Sequence, residues 1–211
     1  MAAPAIAGHD PAEDAARAAV IEAGRWAAAR GWTPATSGNF SVRVDARRIA
    51  ITASGGDKGA LDPADVLVVG LDEAPDPRAS AEAPLHAMLY RERPETGAVL
   101  HVHSLAATVV SRRSAQDGAV RIAGVELLKA FGGIDTHEAT LEVPVFDNDQ
   151  DVTALAARVR DRLARLPAAW GYLIAGHGLY AWGRDVAEAR RHLEAFDFLF
   201  QVILTEARSV S

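Results

Sequence analysis

Two histidines one residue apart, His101 and His103, follow the apolar run Ala98-Val99-Leu100. That run reads as a buried strand, and on a strand residues i and i+2 point to the same face. Two imidazoles placed side by side can converge on one metal ion. Burying them without such a partner would be costly. A third histidine, His177, lies between Gly176 and Gly178. Flanking glycines let a turn bring an imidazole close to another backbone. Three neutral imidazoles with one open position is an arrangement that holds catalytic zinc. The other singled-out histidines, His9, His137 and His192, lack this pattern and read as surface or satisfied core residues.

Two glutamates stand where they could move a proton beside such an ion. Glu82 opens a helical stretch that leads toward the histidine strand, with Ser80 as its expected N-cap. It also reads as a plain first-turn helix charge. Glu126 lies among apolar neighbours in Gly124-Val125-Glu126-Leu127-Leu128. A carboxylate there is either a solvated exception or a buried group with a raised pKa. Either glutamate could serve as acid or base next to a metal-polarised carbonyl.

Small polar loops form a third group. Thr36-Ser37-Gly38-Asn39 precedes one strand, and Thr52-Ala53-Ser54-Gly55-Gly56-Asp57-Lys58-Gly59 follows the next. Backbone amides, hydroxyls and a lysine in such loops can cradle a phosphate. Taken alone they read first as ordinary turns, and they match neither a P-loop nor a dinucleotide fingerprint.

These groups need a frame. Asp10-Pro11 with Glu13 predicts an N-cap, a first-turn proline and a capping glutamate. The helix should run to about Arg30 and stop at Gly31. Phe40–Val44 and Arg48–Thr52 predict a hairpin, and Val66–Gly70 a third strand. A helix over Glu82–Arg91 should end before Pro94. The histidine strand Ala98–His103 and a helix over Leu105–Arg112 come next. Val143–Phe146 predicts a strand, and Asp149–Leu166 a helix. Tyr172–Ala175 and Leu179–Trp182 predict a hairpin with His177 in its turn. A long last helix should run from Asp185 to about Ala207. The sum is a mixed sheet flanked by helices, in one α/β domain spanning residues 1–211. About ten N-terminal residues are expected to be flexible.

The bulk numbers fit that frame. The chain has 211 residues, 49% hydrophobic and 24% charged, enough for one sizeable core. A net charge of -6 gives no basic surface for nucleic acid or an anionic membrane. No run approaches the roughly 18 apolar residues of a membrane span. The first residues lack the basic stretch of a signal peptide. With no cysteine, any metal must be held by histidine and carboxylate, and a reducing, cytoplasmic setting is expected.

Five segments occur in order: Ser37-Gly38-Asn39-Phe40-Ser41-Val42-Arg43, Ile51-Thr52-Ala53-Ser54-Gly55, Ser80-Ala81-Glu82, Val99-Leu100-His101-Val102-His103-Ser104 and Gly176-His177-Gly178-Leu179. Together they resemble the class II aldolase/adducin superfamily over about residues 16–200. Ser54-Gly55-Gly56-Asp57-Lys58-Gly59, Glu126-Leu127-Leu128-Lys129 and Gly178-Leu179-Tyr180-Ala181-Trp182-Gly183 are similar to its dehydratases acting on methylthioribulose 1-phosphate. The resemblance implies an α/β/α sandwich around a central, largely antiparallel sheet. It implies Zn²⁺ held by His101, His103 and His177. Ser37, Gly38, Asn39, Ser54, Gly55, Lys58 and Ser80 match phosphate-contacting positions. Glu126 matches the dehydratase acid/base, and Glu82 the catalytic glutamate of the aldolases. The implied reaction is zinc-dependent dehydration of 5-methylthioribulose 1-phosphate to 2,3-diketo-5-methylthiopentyl 1-phosphate, in methionine salvage. The alternative is a sugar-phosphate aldolase or epimerase of the fuculose or ribulose phosphate type. Relatives are commonly homotetramers with sites at subunit contacts. A non-catalytic binding module of the superfamily would be expected to lack the three histidines. An apolar slot for the methylthio group is expected, with Phe40, Phe131 and Trp182 as aromatic candidates that read first as plain core.

Overall fold

Alternation along the strands decides which side of the sheet each residue meets. On β4 (Ala98–Val102), Ala98, Leu100 and Val102 join one buried cluster and Val99 joins the other. The neighbouring β8 (Gly178–Gly183) splits in the same way, with Leu179 and Ala181 on one side and Tyr180 and Trp182 on the other. Both faces are apolar, so both must be covered by helices. The computed structural model, which describes residues 10–74 and 76–209, shows how they are.

The remaining strands are β1 (Asn39–Arg43), β2 (Arg48–Thr52), β3 (Val66–Gly70), β5 (Ala119–Ile122), β6 (Leu141–Phe146) and β7 (Gly171–Ile174). They form one eight-stranded sheet in the order β3-β2-β1-β4-β8-β7-β6-β5. Every neighbouring pair is antiparallel except β6 and β7, which run parallel. Helices α1 (Pro11–Ala28), α3 (Leu105–Arg113) and α5 (Val186–Ser209) pack on the Leu100 face. Helices α2 (Ala83–Glu92) and α4 (Val152–Leu163) cover the Val99 face. The α/β/α sandwich with a largely antiparallel sheet is therefore the architecture of the chain. No described helix is long and apolar enough to cross a membrane.

Local rules explain most of the boundaries. Asp10 caps α1 by accepting from the Ala12 amide at 3.0 Å. Glu13 pairs with Arg48 of β2 instead of closing a capping box. Arg48 also meets Asp10 and Asp45, so one guanidinium ties α1 to the β1–β2 turn. The chain leaves α1 at Ala28 and turns through Gly31 at φ +70°. Ser104 caps α3 through the Ala107 amide at 3.2 Å.

Several expectations need correction. Ser80 is not the N-cap of α2. Glu82 holds that position without a side-chain cap, while Ser80 Oγ accepts from the Glu82 amide at 3.3 Å. The histidine strand ends at Val102 because the His103 amide turns to donate to the Trp32 carbonyl at 2.8 Å. β6 starts at Leu141, two positions before the expected Val143, because β5 pairs with it there. α4 is shorter than predicted at both ends, since Asp151 caps it and Leu163 is its last residue. Phe40, Phe131 and Trp182 are buried in the core, which disfavours them as a ligand slot. The expectation of a flexible lead segment, and the reading of His9, fall on residues 1–9, outside the described residues.

Candidate metal centre

Strand register brings the site together. His101 on β4 lies opposite Asn39 on β1 and opposite Tyr180 on β8. Its ring stacks on Tyr180, with centroids 4.0 Å apart and planes 16° from parallel, and Tyr180 stacks in turn on Tyr172. His103 follows just past the strand end. His177 sits in the turn between β7 and β8, where Gly176 has φ +65°. Helix α3 grips this turn from outside: Ser111 Oγ accepts from the Gly176 amide and Thr108 Oγ1 donates to the His177 carbonyl. Ser104, the residue after His103, starts that same helix, so one element spaces two of the three histidines.

The three imidazoles converge. His101 Nε2 lies 2.9 Å from His103 Nε2 and 3.4 Å from His177 Nε2. One ligand atom from each of the three lies within 4.8 Å of the others. The proton on His101 is placed by its other nitrogen. The Leu179 carbonyl can only accept, so His101 Nδ1 donates to it at 3.1 Å and Nε2 keeps a bare lone pair. Burial pushes the pKa of His101 down to about 3 and that of His103 to about 4, so both are neutral donors at pH 7. Among the described residues, His177 Nδ1 is buried with no partner, leaving Nε2 as its working atom. Three imidazoles converging through Nε2 fit a divalent metal ion of the zinc type.

Glu82 completes this corner. Its Oε2 lies 3.3 Å from His101 Nε2 and its Oε1 lies 3.3 Å from His177 Nε2. Asn39 Nδ2 donates to Oε2 at 2.6 Å and Tyr180 Oη at 2.8 Å. Burial pushes this carboxyl upward, but His101 and His177, with the Asn39 and Tyr180 hydrogen bonds, outweigh it and hold the pKa at about 2. The group is an ionised carboxylate with one oxygen already engaged by two donors.

Glu126 is placed differently. It opens a short helical turn, Glu126–Ala130, with 71% of its side chain exposed. Its partners are Lys129 at 2.7 Å and His137 at 3.8 Å, and the Lys129 hydrogen bond and charge lower its pKa. It is the solvated exception, not the buried acid, and the single chain does not bring it to the histidines.

The polar loops meet beside the cluster. Lys58 is only 2% exposed, and its Nζ donates to the carbonyls of Thr36 at 2.8 Å and Gly56 at 2.6 Å. Burial lowers its pKa. One ammonium thus joins the Thr36–Asn39 loop to the Ser54–Gly59 loop. Ser37 Oγ is buried without a partner. A Cβ on Gly38 would come within 2.7 Å of the His101 carbonyl, so the loop lies against β4. Ala35 and Thr36, neither of them glycine, have φ +51° and +63°. Such left-handed backbone costs about 1–2 kcal/mol per residue and gathers at functional loops. Ser80 joins the group by donating its amide to the Thr52 carbonyl at 3.2 Å. Asn39 is spent on Glu82 and not on a loop cradle.

One participant escaped the sequence reading. His86 is fully buried, with Nε2 2.5 Å from Asn39 Oδ1 and Nδ1 2.7 Å from Ser41 Oγ. The spacing Glu82-x-x-x-His86 at the start of a helix was the available signal. His137 is half exposed and His192 is a core residue bonded to the Trp182 carbonyl, as ordinary histidines are.

Comparison with known proteins agrees with this geometry. The chain is 54% identical over 198 residues to a methylthioribulose-1-phosphate dehydratase of Parvibaculum lavamentivorans, covering 93% of this chain and 97% of that one. It is 55% identical over 213 residues to a protein of the same name from Bradyrhizobium sp., covering 99% and 98%. Among solved structures, an L-fuculose-1-phosphate aldolase from Thermus thermophilus superposes with TM-score 0.75 at 26% identity, over 92% of this chain and 96% of that one. A sugar-phosphate aldolase from Thermotoga maritima shares the fold with TM-score 0.68 at 19% identity, over 90% and 93%. The profile of the Class II Aldolase and Adducin N-terminal domain matches residues 18–204. On these grounds the chain belongs to the class II aldolase and adducin family.

Proposed function

We propose that this chain is a zinc-dependent hydro-lyase that converts 5-methylthioribulose 1-phosphate to 2,3-diketo-5-methylthiopentyl 1-phosphate in methionine salvage. The observation that carries the reading is the convergence of His101, His103 and His177 beside an ionised Glu82. The names of relatives above 50% identity supply the substrate.

The three histidines would hold the ion, which supplies Lewis acidity to neighbouring ketone and hydroxyl oxygens when bound. The chain's own groups do the rest. A carboxylate removes the proton on C3 of the substrate. The hydroxyl on C4 leaves as water with one added proton, and the C3 enol tautomerises to the second ketone. Lys58, Ser37, Gly38, Ser54, Gly55 and Ser80 hold the phosphate, so that binding energy orients C3 and C4. Glu82, 3.3 Å from His101 Nε2 and from His177 Nε2, is the proton-handling group that these contacts support. Glu126 is the second acid/base, and its exposure calls for another surface to deliver it. Leu105, 79% exposed at the start of α3, and Phe198, 52% exposed on α5, offer one for a second copy of the chain. In a homotetramer, Glu126 of the partner subunit would then act at this site.

An aldolase or epimerase reading is favoured by one observation, the position of Glu82 in a fold shared with a fuculose phosphate aldolase. Feeding the zinc-loaded protein the keto-sugar phosphate separates the two. Dehydration yields the diketone phosphate and no aldehyde. Release of an aldehyde from a pentulose or deoxyhexulose phosphate, without water elimination, overturns the hydro-lyase reading.

A further inference from the structure

We propose that His86 is a positioning residue that locks the Asn39 amide and thereby holds the Glu82 carboxylate by Oε2, with Oε1 left facing His177. The inference rests on Glu82 as a proton-handling group. Glu82 and His86 stand at i and i+4 where α2 begins, so they share one side of it. Asn39 on β1 lies between them and bonds to both.

Hydrogen-bond chemistry fixes every proton in this chain of contacts. An ionised carboxylate only accepts, so Asn39 presents Nδ2 to Glu82 Oε2 and turns Oδ1 toward His86. A carbonyl oxygen only accepts, so His86 Nε2 carries the ring proton. His86 is fully buried, and burial pushes its pKa down to about 4, which keeps the ring neutral and leaves Nδ1 bare. Ser41 Oγ therefore donates to Nδ1 at 2.7 Å, and Tyr90 Oη donates to Ser41 Oγ at 3.0 Å. The order of donation runs without a break from Tyr90 to Ser41 to His86 to Asn39 to Glu82.

The consequence is positional. An asparagine free to rotate could offer Glu82 either end of its amide. Here Oδ1 is held by His86, so Nδ2 is the end that meets Glu82 Oε2. With Oε2 engaged by Asn39 and Tyr180, Oε1 is the oxygen left facing His177. His86 touches none of the three histidines through a hydrogen bond, and its ring meets Tyr180 edge-on at 5.6 Å.

The test begins with the unaltered protein. Imidazole ¹⁵N spectra of histidine-labelled chain, with and without zinc, should show His86 as the neutral Nε2–H tautomer. A proton on Nδ1 overturns the proposal. His86→Leu should then keep its metal content and KM but lose kcat by about 10- to 100-fold, as outer-shell partners do. His86→Gln, which can still donate to Asn39, should recover most of it. A kcat within twofold of normal in His86→Leu, a loss confined to KM, or equal damage in both variants overturns it. If His86→Leu does not fold, Ser41→Ala provides the second arm. It should give a mixture of His86 tautomers and a several-fold fall in kcat, and a pure Nε2–H ring with unchanged kcat speaks against the lock. If the unaltered zinc protein fails to dehydrate the substrate, the functional reading falls while the tautomer result still decides the hydrogen-bond order.

Discussion

Glu82 and Glu126 each open a helical turn, yet they occupy opposite kinds of surroundings. The Glu82 side chain is 15% exposed and lies against two histidines, an asparagine and a tyrosine. The Glu126 side chain is 71% exposed and paired with a surface lysine. The first is organised by its own chain down to individual oxygens. Among the described residues, the second meets only Lys129 and His137. The contrast teaches that resembling a catalytic segment in sequence and sitting in an organised site are separate properties. On the proposed reading, the site would be assembled in two instalments, one at folding and one at association.

The largest effect should come from removing the frame that, on the proposed reading, both glutamates serve. His103→Ala should lose the ion, seen by metal analysis, and turnover by about a thousandfold or more. Retained metal with normal turnover would dissolve the comparison altogether. Next, Glu82→Gln should keep the ion and lower kcat by about 10²- to 10⁴-fold, the usual worth of a positioned acid or base. A change of only a few-fold would hand the proton chemistry to Glu126.

Glu126→Gln should lower kcat on the order of 10²-fold, again with the ion in place. Co-expressing it with His101→Ala sharpens the point. If Glu126 works on a neighbouring copy, mixed oligomers regain part of the activity that neither variant has alone. Mixed oligomers that stay inactive would confine Glu126 to its own chain.

The buried corner should also show itself in acid. His86 has its pKa lowered from 6.5 to about 4 by burial. Between those values the unfolded chain holds a proton that the folded chain does not, so stability rises with pH across this window. Acidifying from pH 6.5 to 4 should therefore cost roughly 3 kcal/mol through this ring, at about 1.4 kcal/mol per unit. Denaturant titration of the metal-free protein should find a shallower pH slope in His86→Gln. An unchanged slope would mean that the ring is not held neutral. The smallest effect belongs to the exposed end of the comparison. Lys129→Ala should leave Tm and metal content unaltered, because exposed ion pairs contribute little.

Much of this was legible beforehand. His101 and His103 could be paired because strand geometry alone places i and i+2 together. His177 could be added because glycines on both sides announce a close turn. The two-sided burial of β4 was visible in Ala98-Val99-Leu100. What stayed hidden depends on contacts between distant elements. β5 escaped notice because Arg121 interrupts a four-residue apolar segment that only its pairing with β6 defines. The side chains of Asn39 and Lys58 looked alike as loop polars, yet one bonds to Glu82 and the other to two carbonyls. His86 reads as a helix-interior histidine until β1 brings Asn39 and Ser41 against it.

The first residue of β8 has a consequence for anyone wishing to move this site elsewhere. A methyl group on Gly178 would stand 2.3 Å from the Val102 carbonyl, 3.0 Å from His101 Cε1 and 3.2 Å from His103 Cδ2. Transplanting three histidines onto another sheet would copy the ligands and miss the clearance between them. The portable unit is a pair of strands with one side chain deleted at the crossing. Its blueprint specifies an empty volume as firmly as it specifies any nitrogen.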